Sequence, residues 1–213
     1  MDGSLLTSRR AFLGFCGAGA LSMGFGAAVA GLSGDGELLR PPGGQDEARM
    51  HASCLRCDRC RSICPTGVIG IAPLEEGILN ARTPTLDFHR GYCDFCALCE
   101  TVCPTGALGS FDPSTEKIGT AVIQEDRCIA FVGGCTECFK ACPYGAISLD
   151  ASNRPVVDGS LCNGCGVCEY ICPALAYRSF SGGTRRGVVV VTRQEASQSA
   201  DSPGGAGDEG GSE

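Results

Sequence analysis

The chain has 213 residues, 32 of them Gly, no Trp and only 6% aromatic residues, so an apolar core alone would be thin. Its seventeen cysteines, about eight per cent of the chain, mean that crosslinks through sulfur do the work a core usually does. The formal charge of −7 argues against nucleic acid as a partner.

The N-terminus reads Ser8-Arg9-Arg10-Ala11-Phe12-Leu13 and continues as a Gly/Ala-rich run without charge to Ala30. This is the pattern of a twin-arginine export signal over residues 1–30, and Ala28-Val29-Ala30 supplies a small-x-small cleavage site. The alternative is an uncleaved membrane anchor over Ala11 to Ala30, which the many glycines weaken. Cys16 follows Phe15, lacks the small preceding residue of a lipid-attachment site, and reads as a bystander. Residues 31–50 have the Gly/Pro composition of a linker.

A repeat then begins. Cys54, Cys57, Cys60 and Cys64 are spaced C-x2-C-x2-C-x3-C and followed by Pro65. The spacing returns at Cys93, Cys96, Cys99 and Cys103, and at Cys162, Cys165, Cys168 and Cys172, each time followed by Pro. The third copy is Cys128, Cys135, Cys138 and Cys142, with six residues, Ile129 to Gly134, in its first spacer. Extended runs precede three copies (at Thr85–Phe88, Ala121–Ile123 and Pro155–Val157), and small apolar stretches follow the Cys-Pro pairs, as at Gly67-Val68-Ile69 and Gly145-Ala146-Ile147. The unit is strand, ligand loop, one or two helical turns, strand. Gly187 to Thr192 predicts a last strand, and residues 194–213 read as a polar, disordered tail.

Such spacing suits a cubane cluster. Three thiolates of a C-x2-C-x2-C loop face one cluster with several backbone amides, and the fourth Cys, placed after a short helix, reaches the neighbouring one. Proline ends the helix and turns the chain toward the next strand. Disulfide scaffolds rarely repeat one tight spacing followed by Pro. Structural zinc sites use two ligand pairs separated by a longer loop, not three thiols within seven residues. Sixteen cysteines therefore predict four 4Fe-4S clusters.

The gap of twenty positions from Cys142 to Cys162 suits two pseudo-symmetric halves of one dicluster unit. Sequential pairing then groups Cys128, Cys135 and Cys138 with Cys172, and Cys162, Cys165 and Cys168 with Cys142. In the first unit it groups Cys54, Cys57 and Cys60 with Cys103, and Cys93, Cys96 and Cys99 with Cys64, leaving Ala72 to Pro84 as an inserted loop. A nested pairing of copy one with four and two with three is the alternative. The expected fold is α+β: two tandem bacterial-type dicluster ferredoxin units, over 51–112 and 113–193, with short strands and helices around the clusters.

His51 and His89 lie near ligand loops and read as surface residues. Tyr92, Phe95, Phe131 and Tyr144 sit beside ligands and are expected to shield clusters from water. There is no nucleophile and base pair, phosphate loop or nucleotide fingerprint, so the expectation is an electron carrier without a small-molecule substrate, not an enzyme.

Arg40-Pro41-Pro42, Asp46-Glu47-Ala48, Cys54-x-Arg56-Cys57-Asp58, Phe95-Cys96, the widened third motif and Cys162-Asn163-Gly164-Cys165-Gly166 together resemble the NapF/NapG/MauM ferredoxin-type proteins. The resemblance covers about residues 38 to 180. Phe88 and the regular second motif look more like NapF, whereas the export signal is that of the NapG and MauM members. The resemblance implies a protein exported to the periplasm or the outer face of the cytoplasmic membrane. There it would relay electrons from a membrane quinol dehydrogenase (NapH-like) to a periplasmic molybdenum oxidoreductase such as nitrate reductase. It also admits a maturation factor that loads clusters into a partner, or a fixed electron-transfer subunit of a molybdenum enzyme.

Overall fold

The computed structural model describes residues 37–174 and 186–201. The expected export signal, Cys16 and the tail beyond 201 lie outside the described residues.

Every regular element is short because the ligand loops set the spacing. Helix α1 is Glu47–Ser53. Helices α2 (Arg59–Ile63), α3 (Leu98–Thr101), α5 (Glu137–Ala141) and α6 (Val167–Tyr170) each carry the third Cys of a motif. The fourth Cys stands at or just past the helix end, where the next residue, Pro, cannot continue it. Helices of four or five residues do not persist alone, so these are held by what their cysteines and neighbours touch. The six-residue spacer of the third copy folds as its own turn, α4 (Ala130–Gly133).

Among the described residues, three two-stranded antiparallel sheets flank the helices. Strands β1 (Ile69–Ile71) and β2 (Pro84–Leu86) pair with Ile69 opposite Leu86. Strands β4 (Ile147–Leu149) and β5 (Pro155–Val157) form the equivalent pair in the second half, with Ile147 opposite Val157. Strand β3 (Thr120–Ile123) pairs with β6 (Val188–Val191), closing the second half end to end. The core is thin and partly made of ligand residues: Met50, Val68, Leu86, Phe88, Leu108, Ile118 and Val188 cluster with Cys99, Cys138, Cys162, Cys168 and Cys172.

The expected inserted loop contains the 3-10 turn Leu74–Glu76. Two expectations are corrected. Residues 37–50 are no linker. Arg40 is only 1% exposed, grips Glu47 with two bonds of 2.7 and 2.6 Å, and donates to Thr83 Oγ1 and the Pro84 carbonyl at 2.6 and 2.9 Å. Asp46 caps α1 by accepting from the Arg49 amide at 3.0 Å. The second correction concerns the tail, whose first part is helix α7 (Arg193–Asp201). Thr192 and Glu195 start it as a capping box: the Glu195 amide donates to Thr192 Oγ1 at 3.4 Å and the Thr192 amide to Glu195 Oε2 at 3.1 Å.

The Arg40 fork ties α1 to the start of β2, and removing it leaves a buried acceptor and a carboxylate without their donor. Arg40→Ala is expected to lose about 3 kcal/mol or more of stability, read as a lowered denaturant midpoint under anaerobic conditions; an unchanged midpoint would refute this role.

Candidate metal centre

Three of the four ligand loops are bent by the same device. In copies one, two and four the residues just before and just after the second Cys have left-handed backbone: Arg56 and Asp58 (φ 53° and 61°), Phe95 and Ala97 (56° and 58°), Gly164 and Gly166 (both 80°). Left-handed residues alternating along a chain point successive N–H groups into one concavity, a nest for negative charge. Copy four uses glycine at both positions for a further reason: a Cβ on Gly164 would stand 2.4 Å from the Gly119 amide nitrogen, and one on Gly166 1.9 Å from the Phe88 ring. Copies one and two accept the left-handed cost with ordinary side chains, about 1 kcal/mol or more for each residue.

These bends bring the cysteines together in fours. Cys54, Cys57, Cys60 and Cys103 line the first cavity, and Cys64, Cys93, Cys96 and Cys99 the second. Cys128, Cys135, Cys138 and Cys172 line the third, and Cys142, Cys162, Cys165 and Cys168 the fourth. Copy one therefore meets copy two, and copy three meets copy four; no cavity has the nested grouping. None of the sixteen described cysteines is joined in a disulfide. Among the described residues no three His, Cys, Asp or Glu side chains close to the distances of a single metal ion. The cavities instead hold 310 to 470 Å³ of empty space, mouths included.

The donor set suits a bound metal-sulfur group carrying negative charge. Backbone N–H groups of Arg56, Leu108 and Ala121 donate to the sulfurs of Cys54, Cys103 and Cys162 at 3.4, 3.5 and 3.4 Å. The Thr66 hydroxyl lies 3.4 Å from Cys64 Sγ. Burial pushes the thiols of Cys60 and Cys93 up to about 12, and those of Cys99, Cys138 and Cys165 to about 11. Cys168, Cys96 and Cys128 also rise, mainly by burial. Burial opposes charge on Cys64 and Cys103 as well, but there it is outweighed: hydroxyls of Thr66 and Thr105 and the surrounding amides hold both below an ordinary thiol. Metal binding at the dry positions must displace a firmly held proton.

The cavities form a row. Cys99 is close enough to raise the charge cost of Cys60 across the first and second cavities, as Cys138 is to raise that of Cys168 across the third and fourth. The second and fourth adjoin through their own ligand loops: the Cys93 amide donates to the Cys165 carbonyl at 2.8 Å. The order in space is thus first, second, fourth, third. Around that seam Tyr92 packs on Tyr170 with ring centres 5.8 Å apart, and Phe95 stands edge-on to Tyr144 at 6.2 Å while stacking on Phe111 at 5.6 Å.

Of the four aromatics expected to shield clusters, only Tyr144 lines a cavity. Tyr92 and Phe95 join the two halves, and Phe131 lies under the Arg154 guanidinium at 4.7 Å. His89 Nε2 lies 3.6 Å from Glu169, and His51 Nε2 3.5 Å from Glu47. Glu169 went unnoticed in the sequence. It is 5% exposed, accepts from the Val190 amide at 2.6 Å and so fastens α6 to β6, and burial raises its carboxyl to about 7. A charged residue directly after a ligand Cys in a short apolar helix was the available signal.

Short helices carrying one thiol each, hairpins behind them and amide-lined four-thiol cavities define an iron-sulfur electron carrier of the ferredoxin class. Residues 53–107 and 127–176 match the 4Fe-4S dicluster domain, once in each half. The chain is 32% identical over 155 residues to the ferredoxin-type protein NapG of Escherichia coli (strain K12), covering 64% of this chain and 67% of NapG. It is 31% identical over 143 residues to the ferredoxin-type protein NapF of the same strain, covering 65% of this chain and 82% of NapF. The chain belongs to the NapF/NapG ferredoxin-type family of 4Fe-4S proteins.

The loop conformations generate a paired expectation. Gly166→Ala, which meets both a left-handed backbone and the Phe88 ring, is expected to cost about 2 to 4 kcal/mol. Ala97→Gly, which relieves the same backbone in copy two, is expected to gain about 0.5 kcal/mol. Anaerobic denaturation checks both, and equal midpoints for the two variants would show that loop bending does not set stability.

Proposed function

We propose that the four cavities hold four 4Fe-4S clusters, on Cys54, Cys57, Cys60 and Cys103; Cys64, Cys93, Cys96 and Cys99; Cys128, Cys135, Cys138 and Cys172; and Cys142, Cys162, Cys165 and Cys168. A bound 4Fe-4S cluster supplies a one-electron couple. The chain's own groups do the rest: thiolates grip, amides of the nests offset negative charge, and buried walls keep water out. The body is then two bacterial-type dicluster ferredoxin units joined through their ligand loops, and single electrons pass along the row first, second, fourth, third. The observation that carries this reading is the row itself, in which the Cys93 amide and the Cys165 carbonyl link adjacent four-thiol cavities.

The protein on this reading has no substrate site of its own. It receives electrons from a membrane quinol dehydrogenase and passes them to a periplasmic molybdenum reductase of the nitrate-reductase type. Kinship with NapG and the Arg9-Arg10 motif support an exported carrier.

Anaerobically purified protein is expected to contain about sixteen irons, and Cys64→Ala to alter the electron paramagnetic resonance signal of a single cluster while the other three persist. Colourless, iron-free protein overturns the reading, and loss of two or more signals in the variant overturns the grouping. Replacing Arg9 and Arg10 with Lys is expected to strand iron-loaded protein in the cytoplasm, as fractionation would report; undiminished export overturns the assigned route.

A further inference from the structure

Charge is distributed unevenly over the four cavities. Arg56, Arg59, Arg61 and Arg82 line the first, with Asp58 as the sole acid among them. The second has Asp94 as its charged lining residue, and the third and fourth have none. Neutralising a bound cluster does not account for this. A cluster with its four thiolates carries about −2 in any of the four positions, and three cavities manage without a guanidinium.

The arginines instead face outward. Arg56, Arg59 and Arg61 are exposed, and the Arg82 side chain, 3.8 Å from Asp58, is 63% exposed. Between them lie Leu55, 66% exposed, and Cys57, the exposed thiol of the set. An apolar contact ringed by arginines is the composition of an interface centre. It sits at one end of the row, on a chain whose net charge of −7 repels acidic molecules elsewhere.

We propose that the mouth of the first cavity is the docking face for a redox partner protein that presents carboxylates around its own cofactor, and that electrons cross between the two proteins there. The proposal rests on the cluster reading above. One electron moves per encounter, the donor losing it and the acceptor gaining it, with no atom or proton transferred.

The test uses the cluster-loaded full chain, reduced with dithionite and mixed with hexacyanoferrate(III), which takes one electron and becomes hexacyanoferrate(II). If the arginine face is the way out, the rate falls about tenfold as salt is raised from about 10 mM to about 300 mM. Poly-L-glutamate, a carboxylate chain without a redox group, slows the reaction at low salt. Reversing the face in the triple variant R56E/R59E/R61E slows it about tenfold at low salt and abolishes the poly-L-glutamate effect, with iron content unchanged. A wild-type rate that rises with salt, as the net charge alone dictates, overturns the proposal without recourse to any variant. So does a triple variant that reacts like the wild type, or one that loses iron, which would assign the arginines to cluster retention. Iron-free wild-type protein defeats the cluster reading itself and is told apart by its lack of colour.

Discussion

Each four-thiol cavity takes three cysteines from one motif copy and the fourth from another, and the rest of the fold follows from that exchange. Cys103 must cross to the loop of Cys54, Cys57 and Cys60, while Cys64 crosses the other way. Copies one and two are thereby tied twice, and copies three and four likewise. With so much organisation invested in sulfur, ligand helices of four or five residues and strands of three or four suffice, and the apolar core can stay small.

The same loops that line the cavities also join the two halves. Cys93 and Cys165 share a backbone hydrogen bond, Phe88 occupies the space that a side chain at Gly166 would need, and Tyr92 and Phe95 pack on Tyr170 and Tyr144. This economy puts adjacent cavities against each other with little protein between them, which is what passage of an electron between bound clusters requires. Glycine at position 166 follows from it: the left-handed turn and the approaching ring both exclude a Cβ.

Outside the loops, stability is concentrated in a few buried polar ties. Arg40 anchors the first helix to β2 through Glu47, Thr83 and the Pro84 carbonyl, and Glu169 anchors the last ligand helix to β6 through the Val190 amide. Both are ionisable groups taken out of water, tolerable because each has strong hydrogen-bond partners. Both sit where a short element would otherwise have little to hold it.

Sequence spacing alone showed the four motif copies and their sixteen cysteines, because three thiols within seven residues and a fourth after one helical turn leave a chain little choice but to gather them, whereas the choice between sequential and nested pairing was made by the fold. The sequence also located the strands, whose apolar runs are bounded by the motifs. It did not show that residues 37–50 pack into the body, since Gly and Pro disguise a segment whose anchor, Arg40, finds its partners 43 and 44 residues away. Nor did it show α7, whose composition is that of a solvated tail and whose Thr192–Glu195 box is a local signal easily passed over. The row of cavities, the roles of Tyr92 and Phe95 in the seam, and the gathering of arginines at a single mouth were decided by tertiary structure. They depend on how one dicluster half docks on the other, and contacts between residues far apart in the chain leave no periodicity in it.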